Sequence, residues 1–346
     1  KYYRPWNEKC PISNCTKCNS TEFVGEERTF DTWMDSSISP LFVSKFNVDN
    51  EFFNKVYPAA IRPQAKDIVR TWLYYTLLRC EQLTGKKPWS EAWIMGYGLD
   101  EKGMKMSKSK GNAIDPLPVI EKLGADTFRF WSASEINHGY DFRCNEQKIE
   151  SNKKFLSKLW NVSRFLSSFP VIESGTLTAS DKWVLSELDN LVKECKKGYE
   201  EYNFFIPAIA IREFTWNLFA AHYIEMVKAR AYGIGFSDEE RDGAIFTLHK
   251  TLSTILKLLA PITPFITEHL WKILYSKESI HKQKQVEPEN IETQSDITKE
   301  ITEFNSKVWN EKKSQSLSLK DSIKIEIPKI LEPFKKDLKS MHNLVD

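Results

Sequence analysis

The most informative stretch of the sequence reads Asp100-Glu101-Lys102-Gly103-Met104-Lys105-Met106-Ser107-Lys108-Ser109-Lys110-Gly111-Asn112. Four of its residues are lysines that fall within nine positions, and no acidic residue follows Glu101 until Asp115. This composition predicts a mobile cationic loop with many hydroxyl and backbone donors, here called the lysine loop. Such a loop can close over a polyphosphate and neutralise the charge on a departing pyrophosphate. A solvated surface turn is the alternative for a generic lysine- and serine-rich tract.

Strand and helix signals alternate on both sides of the lysine loop. Apolar residues at helical spacing predict a helix that starts at residue 66 or 67 and stops at Gly85, followed by a strand at residues 91–97. After the loop, Asp115 and Pro116 start a short helix that Gly124 ends, and Asp126 is expected to cap the next helix. The alternation indicates a Rossmann-like parallel sheet, of which about half is present.

Long helical periodicity dominates the chain from residue 145 onward. It predicts helices at residues 146–169, 180–199, 207–232, 238–259 and 264–275, which together indicate a helix bundle. A polar linker (276–295) leads to a helix at 296–313, an edge strand at 322–327 and a final helix ending near 341. The predicted fold is mainly α with an α/β part: a partial Rossmann-like sheet, a helical bundle and a small C-terminal α+β segment. The predicted domains are residues 1–30, 31–112, 113–150, 151–280 and 281–346.

Composition limits the class of protein. The 346 residues are 41% hydrophobic and 28% charged, as in ordinary globular proteins. The net charge of +2 is too small to establish a nucleic-acid partner by itself. No apolar stretch is long enough for a membrane span and no secretory signal opens the chain, so a membrane partner is not expected. Six cysteines in a chain of this length favour a reducing cytoplasm over a disulfide scaffold. The chain starts without methionine, like a segment of a longer polypeptide.

Three cysteines lie close together in the first segment: Cys10, Cys15 and Cys18. Structural zinc takes four tetrahedral ligands, and the first histidine of the chain is His138. A Zn²⁺ site would therefore need a carboxylate or a ligand from outside this sequence. Free thiols are the alternative.

Several strings follow one another along nearly the whole chain. They are Asp31-Thr32-Trp33-Met34-Asp35-Ser36-Ser37, Arg62-Pro63-Gln64-Ala65-Lys66-Asp67-Ile68-Val69-Arg70-Thr71-Trp72, the lysine loop, Gly124-Ala125-Asp126, Lys158-Leu159-Trp160-Asn161 and Leu259-Ala260-Pro261-Ile262-Thr263-Pro264-Phe265. Together they resemble class I aminoacyl-tRNA synthetases, with the first two strings favouring the valine-specific members. The family's His-x-Gly-His signature does not occur in this sequence, so the first half of the catalytic domain and the editing domain are not covered.

The resemblance implies part of a monomeric valine–tRNA ligase. Its substrates would be valine, ATP with Mg²⁺, and tRNA-Val, and the fragment alone is expected to be inactive. The resemblance assigns catalysis to Lys105 and Lys108, ATP binding to Lys108, Ser107, Ser109, Asp67 and Gln64, and the wall of the valine pocket to Trp33. A buried core position is the alternative for Trp33. Ala65 stands where the family usually has glycine, two residues before Asp67.

The first bundle helix is the predicted tRNA-binding element. Four of its basic residues, Lys153, Lys154, Lys158 and Arg164, lie in a stretch without acids from 151 to 172. Lys154 and Lys158 share a helix face, which suits phosphate contact, and a solvated face is an equal alternative. Phe155, Leu159 and Trp160 are predicted to lie in the core. The resemblance places Trp216, His222 and Arg230 on the anticodon side.

Two rival functions remain open from the sequence. One is a free-standing RNA-binding protein derived from a synthetase but without ligase activity. The other is the isoleucine-specific relative. The intact lysine loop opposes the first rival, because RNA binding alone does not require a loop for pyrophosphate.

Overall fold

A computed structural model describes residues 8–26, 28, 29, 31–291 and 295–345. Residues 1–7, 27 and 30 of the predicted cysteine segment and residues 292–294 of the predicted C-terminal segment lie outside the described residues. The chain divides into two compact units, Lys1–Ile94 and Met95–Asp346. The finer domain boundaries stay predictions.

The first unit consists of short helices followed by a strand, a helix and a strand. Its elements are α1 (Thr32–Ser36), α2 (Ser39–Val43), α3 (Asn50–Val56), β1 (Ala59–Ala65), a 3-10 turn (Lys66–Ile68) and π-turn (Val69–Leu73) that run into α4 (Tyr74–Thr84), and β2 (Trp89–Met95). β1 and β2 are hydrogen-bonded neighbours in a two-stranded sheet. The helix predicted before Gly85 is confirmed, and Gly85 ends it with a φ of 66°. The predicted strand begins and ends two residues earlier than expected.

Side chains of the π-turn and of α4 hold α1 in place within this unit. The indole Nε1 of Trp72 donates to the carbonyl of Ser36 (3.2 Å), and Nη1 of Arg79 donates to the carbonyl of Met34 (2.8 Å). Both bonds join residues that are far apart in sequence. They fix the backbone of α1 directly after Trp33.

The second unit opens with a small parallel ladder. β3 (Gly98–Leu99) pairs in parallel with β4 (Phe142–Arg143), and α5 (Pro116–Leu123) and α6 (Ala125–Glu135) lie between them in sequence. The predicted start of α5 is confirmed, because Asp115 accepts a hydrogen bond from the amide of Leu117 (3.1 Å). A parallel sheet with crossover helices is therefore present, although it is small.

The expected role of Asp126 as the cap of its own helix is wrong. Asp126 lies inside α6, and its carboxylate accepts hydrogen bonds from the amides of Ile266 (2.6 Å) and Phe265 (3.4 Å). These amides open α12, a helix about 140 positions further along the chain, so Asp126 caps that helix instead. From the same side of α6, Arg129 donates to the carbonyls of residues 261 and 262 (both 2.9 Å).

The rest of the second unit is a helix bundle. Its helices are α7 (Glu146–Leu166), α8 (Ala179–Glu200), α9 (Phe205–Glu213), a π-helical segment (Phe214–Tyr223), α10 (Ile224–Ala231), α11 (Asp238–Leu259) and α12 (Pro264–Leu274). The predicted helices are confirmed, and α11 has the predicted bounds, with a capping box of Ser237 and Glu240 at its start. In the described residues, no helix combines the length and apolar character that crossing a bilayer requires.

The C-terminal segment packs onto the bundle core. It contains α13 (Ser295–Ser314), a 3-10 helix (Lys329–Phe334) and α14 (Lys335–His342). The edge strand predicted at 322–327 is wrong, because only Ile323 forms a bridge, with Leu344. Ile323 is buried, and Ile325 and Ile327 pack against the core. The alternating pattern therefore marks the side of this segment that faces the core, and not a strand paired with a neighbour.

Candidate functional site

The lysine loop is anchored on β3. Leu99 forms an antiparallel bridge with Lys105, and the amide of Met106 donates to the carbonyl of Gly98 (2.9 Å). The side chain of Met106 packs against an apolar cluster that includes Trp131 of α6. A Cβ on Gly98 would lie 2.8 Å from the methyl carbon of Met106, but this is the end of a flexible side chain that can move aside, so the contact does not require glycine.

The polar side chains of the loop converge beyond this anchor. The ammonium of Lys105 lies 4.0 Å from the ring centroid of Tyr97, a cation–π distance. Lys108 is exposed and begins a 3-10 turn (Lys108–Lys110). The hydroxyls of Ser107 and Ser109 lie 3.2 Å apart. Ser107, Lys108 and Ser109 therefore lie at one cationic surface turn, and Lys105 lies in the bridged segment that leads into it.

Asp100 and Asn112 are part of this arrangement, although neither was predicted to be a site residue. The amide of Asn112 donates to the Asp100 carboxylate (2.8 Å) and accepts from the backbone amide of Ser107 (3.0 Å). The hydrogen bond from Asn112, followed by the backbone amides of Met104 and Lys102, lowers the pKa of Asp100. An Asp and an Asn flanking a glycine-rich loop are the signal that could have found them, because these side chains stabilise turns.

The first unit holds the other predicted nucleotide and amino-acid residues. Trp33 is 39% exposed on α1, so the core alternative for it is wrong. Asp67 is exposed on the 3-10 turn that follows β1. Gln64 is only 4% exposed, and neither Nε2 nor Oε1 of its amide has a partner among the described residues. Buried polar groups are normally satisfied by protein, ordered water or a bound ion, so the Gln64 amide has capacity for a further partner.

Arg62 lies on the same side of β1 as Gln64, and it was not predicted from the sequence to be a site residue. Residues two apart in a strand point to the same side, so Arg62 and Gln64 lie together on β1. The guanidinium carbon of Arg62 lies 3.0 Å from the ring centroid of Trp72, which stacks on Trp89 (5.7 Å between centroids). Burial lowers the pKa of Arg62, and its Nε has no partner in the described residues.

The predicted tRNA-binding helix, α7, borders an open groove of about 450 Å³. The groove is lined by Glu150, Lys153, Lys154, Ser157, Lys158, Asn161 and Trp216. Arg164 lies exposed further along α7. In the part of the chain that the structure describes, none of the four predicted basic residues forms an ion pair, whereas Lys148 near the start of the same helix pairs with Glu135 (3.1 Å). Their positive charge is therefore available to a partner.

Comparison with known proteins identifies the family. Residues 3–144 match a family model described as tRNA synthetases class I (I, L, M and V), and residues 181–327 match one described as the anticodon-binding domain of tRNA ligase. The chain belongs to the class I aminoacyl-tRNA synthetases.

Similar curated proteins carry the name valine--tRNA ligase. The one from Aeropyrum pernix is 41% identical over 99% of this chain and 43% of its own length, and the one from Pyrobaculum aerophilum is 42% identical over 100% and 44%. That from Nanoarchaeum equitans is 40% identical over 99% and 45%. This synthetase chain therefore spans less than half the length of these relatives.

Solved structures support the fold. A complex of LeuRS with tRNA and LeuAMS from Agrobacterium radiobacter K84 gives a TM-score of 0.61 at 22% identity, over 80% of this chain and 35% of that one. A methionyl-tRNA synthetase from Mycobacterium tuberculosis gives 0.59 at 22% identity, over 70% and 50%. The predicted combination of a partial α/β catalytic part and a helical bundle is confirmed.

The predicted three-cysteine zinc set is not assembled in this synthetase chain. The sulfur of Cys15 accepts a hydrogen bond from the amide of Lys17 (3.4 Å), and this bond, followed by those from Cys18, lowers the pKa of Cys15. Among the described residues, however, no three potential ligands lie close enough together to hold a metal ion. Cys10 therefore does not join the Cys15–Cys18 pair, which alone supplies half of a structural zinc shell.

The prediction that Trp160 lies in the core is wrong. Phe155 and Leu159 are buried as expected, but Trp160 is 42% exposed and stacks on His269, with 5.6 Å between ring centroids. Of the three residues expected on the anticodon side, Trp216 lines the groove, and His222 and Arg230 are buried.

Proposed function

We propose that this chain is part of a valine–tRNA ligase that activates valine with ATP and transfers the valyl group to tRNA-Val. The observation that carries the proposal is the lysine loop, a cationic surface loop that carries Lys105 in its bridged base and Ser107, Lys108 and Ser109 at its turn. The 40–42% identity to valine--tRNA ligases over nearly the whole chain supports the amino-acid specificity. We further propose a monomer that works in the cytoplasm.

The chemistry of adenylate formation needs charge stabilisation from the protein. The carboxylate of valine attacks the α-phosphorus of ATP, and the bond to pyrophosphate breaks, so no protein nucleophile is required. Negative charge grows on the departing pyrophosphate, which enters with Mg²⁺ as part of the substrate. Lys108, exposed at the turn, would neutralise that charge, and Lys105 would assist after leaving the ring of Tyr97.

The first unit would bind the remaining parts of the substrates. Gln64 brings a donor and an acceptor that are unused within the described residues, and Asp67 brings an exposed carboxylate suited to ribose hydroxyls. Trp33 offers a half-exposed flat ring as the wall of an apolar side-chain pocket. These assignments follow the family resemblance together with the exposure and hydrogen bonding of each side chain.

The amino-acid dependence of ATP–pyrophosphate exchange tests the proposal. A complete polypeptide that contains this chain is expected to exchange pyrophosphate with valine, and much less with isoleucine, while the isolated chain gives no exchange. A preference for isoleucine would identify the isoleucine-specific relative. A folded polypeptide that binds tRNA but exchanges with neither amino acid would favour the RNA-binding rival.

The groove on α7 gives a separate prediction about tRNA. Lys154→Glu is expected to weaken tRNA binding by about 10-fold and to reduce the slope of log affinity against log salt by about one, because a phosphate contact is lost. Filter binding over a range of salt concentrations measures both quantities. Lys299→Glu, on the exposed surface of α13, is the matched charge reversal. Equal losses in the two variants would contradict a specific role for the groove.

A further inference from the structure

One amide side chain joins three parts of the lysine loop. Nδ2 of Asn112 donates to Oδ2 of Asp100 (2.8 Å) and to the carbonyl of Lys105 (3.3 Å). Its Oδ1 accepts from the backbone amide of Ser107 (3.0 Å). The last residue of the loop is thereby bonded to its first residue and to the backbone on both sides of Met106.

Asp100 completes this connection from the other end. Its second oxygen, Oδ1, accepts from the backbone amides of Met104 (2.8 Å) and Lys102 (3.0 Å). Both carboxylate oxygens of Asp100, and both the oxygen and the nitrogen of the Asn112 amide, thus form hydrogen bonds within the loop. We call this hydrogen-bonded pair, Asp100 and Asn112, the clasp.

The clasp divides the loop into a fixed base and an unattached turn. The base is held by the clasp, by the bridge between Leu99 and Lys105, and by the packing of Met106 against the apolar cluster. The 3-10 turn Lys108–Lys110 receives no bond from the clasp and ends at Gly111, which has a φ of 66°. Within the described residues, neither Lys108 nor Lys110 has a side-chain ion pair or hydrogen bond.

We propose that Asp100 and Asn112 are positioning residues for adenylate formation, because the clasp holds the base of the lysine loop rigid while the turn that carries Lys108 closes on the pyrophosphate. This inference rests on the proposed function. It restricts the moving part to residues 108–111, whereas the sequence predicted that the whole loop is mobile. The pair acts through Lys108 and does not itself contact the substrate.

The clasp can be broken and rebuilt with isosteric substitutions. Asn112→Asp removes both donations from residue 112 and places two carboxylates where a hydrogen bond was. The double variant Asp100→Asn/Asn112→Asp restores one donor and one acceptor with the direction reversed, and residue 112 can still accept from Ser107. Asn310→Asp makes the same isosteric change on the exposed surface of α13 and serves as the control.

The variants are compared in the complete polypeptide by valine-dependent ATP–pyrophosphate exchange. Asn112→Asp is expected to lower kcat by about 10- to 100-fold, because displacement of a catalytic group by about 1 Å costs that much. The KM for valine and the affinity for tRNA should stay within about twofold of the wild type, because neither substrate meets the clasp. The double variant is expected to recover most of kcat, and the control to retain all of it.

Hydrogen exchange of the Ser107 and Met104 amides gives a second readout that does not depend on activity. Both amides should exchange faster in Asn112→Asp and regain protection in the double variant. An unchanged kcat in Asn112→Asp would overturn the inference, as would a double variant that regains amide protection without regaining activity. A wild-type polypeptide with no valine-dependent exchange would instead overturn the proposed function, and the inference with it.

Discussion

Replacing Lys108 with alanine is expected to lower the kcat of valine-dependent ATP–pyrophosphate exchange by about 100- to 1000-fold. This is the range found when one donor to a developing oxyanion is removed from a preorganised site. Lys108 is the exposed lysine that opens the 3-10 turn, and no contact within the described residues diverts its charge. The KM for valine should change little, because the lost interaction forms with pyrophosphate.

Two further variants show whether the position of the charge matters. Lys110→Ala removes the same charge from the other end of the same turn and should cost much less than Lys108→Ala. Lys105→Ala should lie between them, because Lys105 must first leave the ring of Tyr97. Equal losses at 108 and 110 would mean that only the summed charge of the loop counts, and a wild-type kcat in Lys108→Ala would contradict its assignment.

Replacing Arg230 with methionine is expected to destabilise the bundle by about 3–5 kcal/mol, because it leaves buried carboxylates without their cation. The guanidinium of Arg230, on α10, is completely buried and bonds to Asp181 of α8 (2.8 Å) and to Asp337 of α14 (3.0 Å). Burial opposes its charge, but the hydrogen bonds and charges of Asp181 and then Asp337 prevail and raise the pKa of Arg230. Burial also disfavours the charged form of Asp337, and for a carboxyl group this raises the pKa.

Hydrogen exchange resolved along α10 and α14 measures the effect, because these helices should open first when their shared cation is removed. Arg241→Met is the matched control, since Arg241 also bonds to two aspartates, Asp238 (2.6 Å) and Asp242 (3.0 Å), but at the surface. Exposed ion pairs contribute at most about 1 kcal/mol. A loss at Arg230 no larger than that at Arg241 would contradict the central role of this buried cluster.

Local sequence signals predicted most of the helices. The bounds of α11 were predictable because Ser237 and Glu240 form a capping box whose partners are three residues apart. The lysine loop was recognisable for the same reason, since its chemistry lies in one continuous stretch. The prediction of a strand at 322–327 was wrong because an alternating pattern shows only which side chains are apolar. It does not show whether another strand is available for pairing.

Contacts between distant segments could not be predicted from one sequence. The periodicity of α10 places Arg230 on a helix, but nothing local reveals that carboxylates from α8 and α14 meet it. Asp126 resembled a cap for its own helix, and its true partners lie about 140 residues away. The unmet hydrogen bonds of Gln64 likewise became visible only with the packing of β1.

The attachment of α6 to the start of α12 has a mechanical consequence. Asp126 and Arg129 of α6 form hydrogen bonds to the backbone at the start of α12. Trp131 of the same helix belongs to the apolar cluster against which Met106 of the lysine loop packs. A rotation of α6 would therefore displace both the start of α12 and the apolar cluster that contacts Met106. If the bundle binds tRNA as proposed, a rotation of α6 caused by that binding would also displace Met106 and the base of the lysine loop.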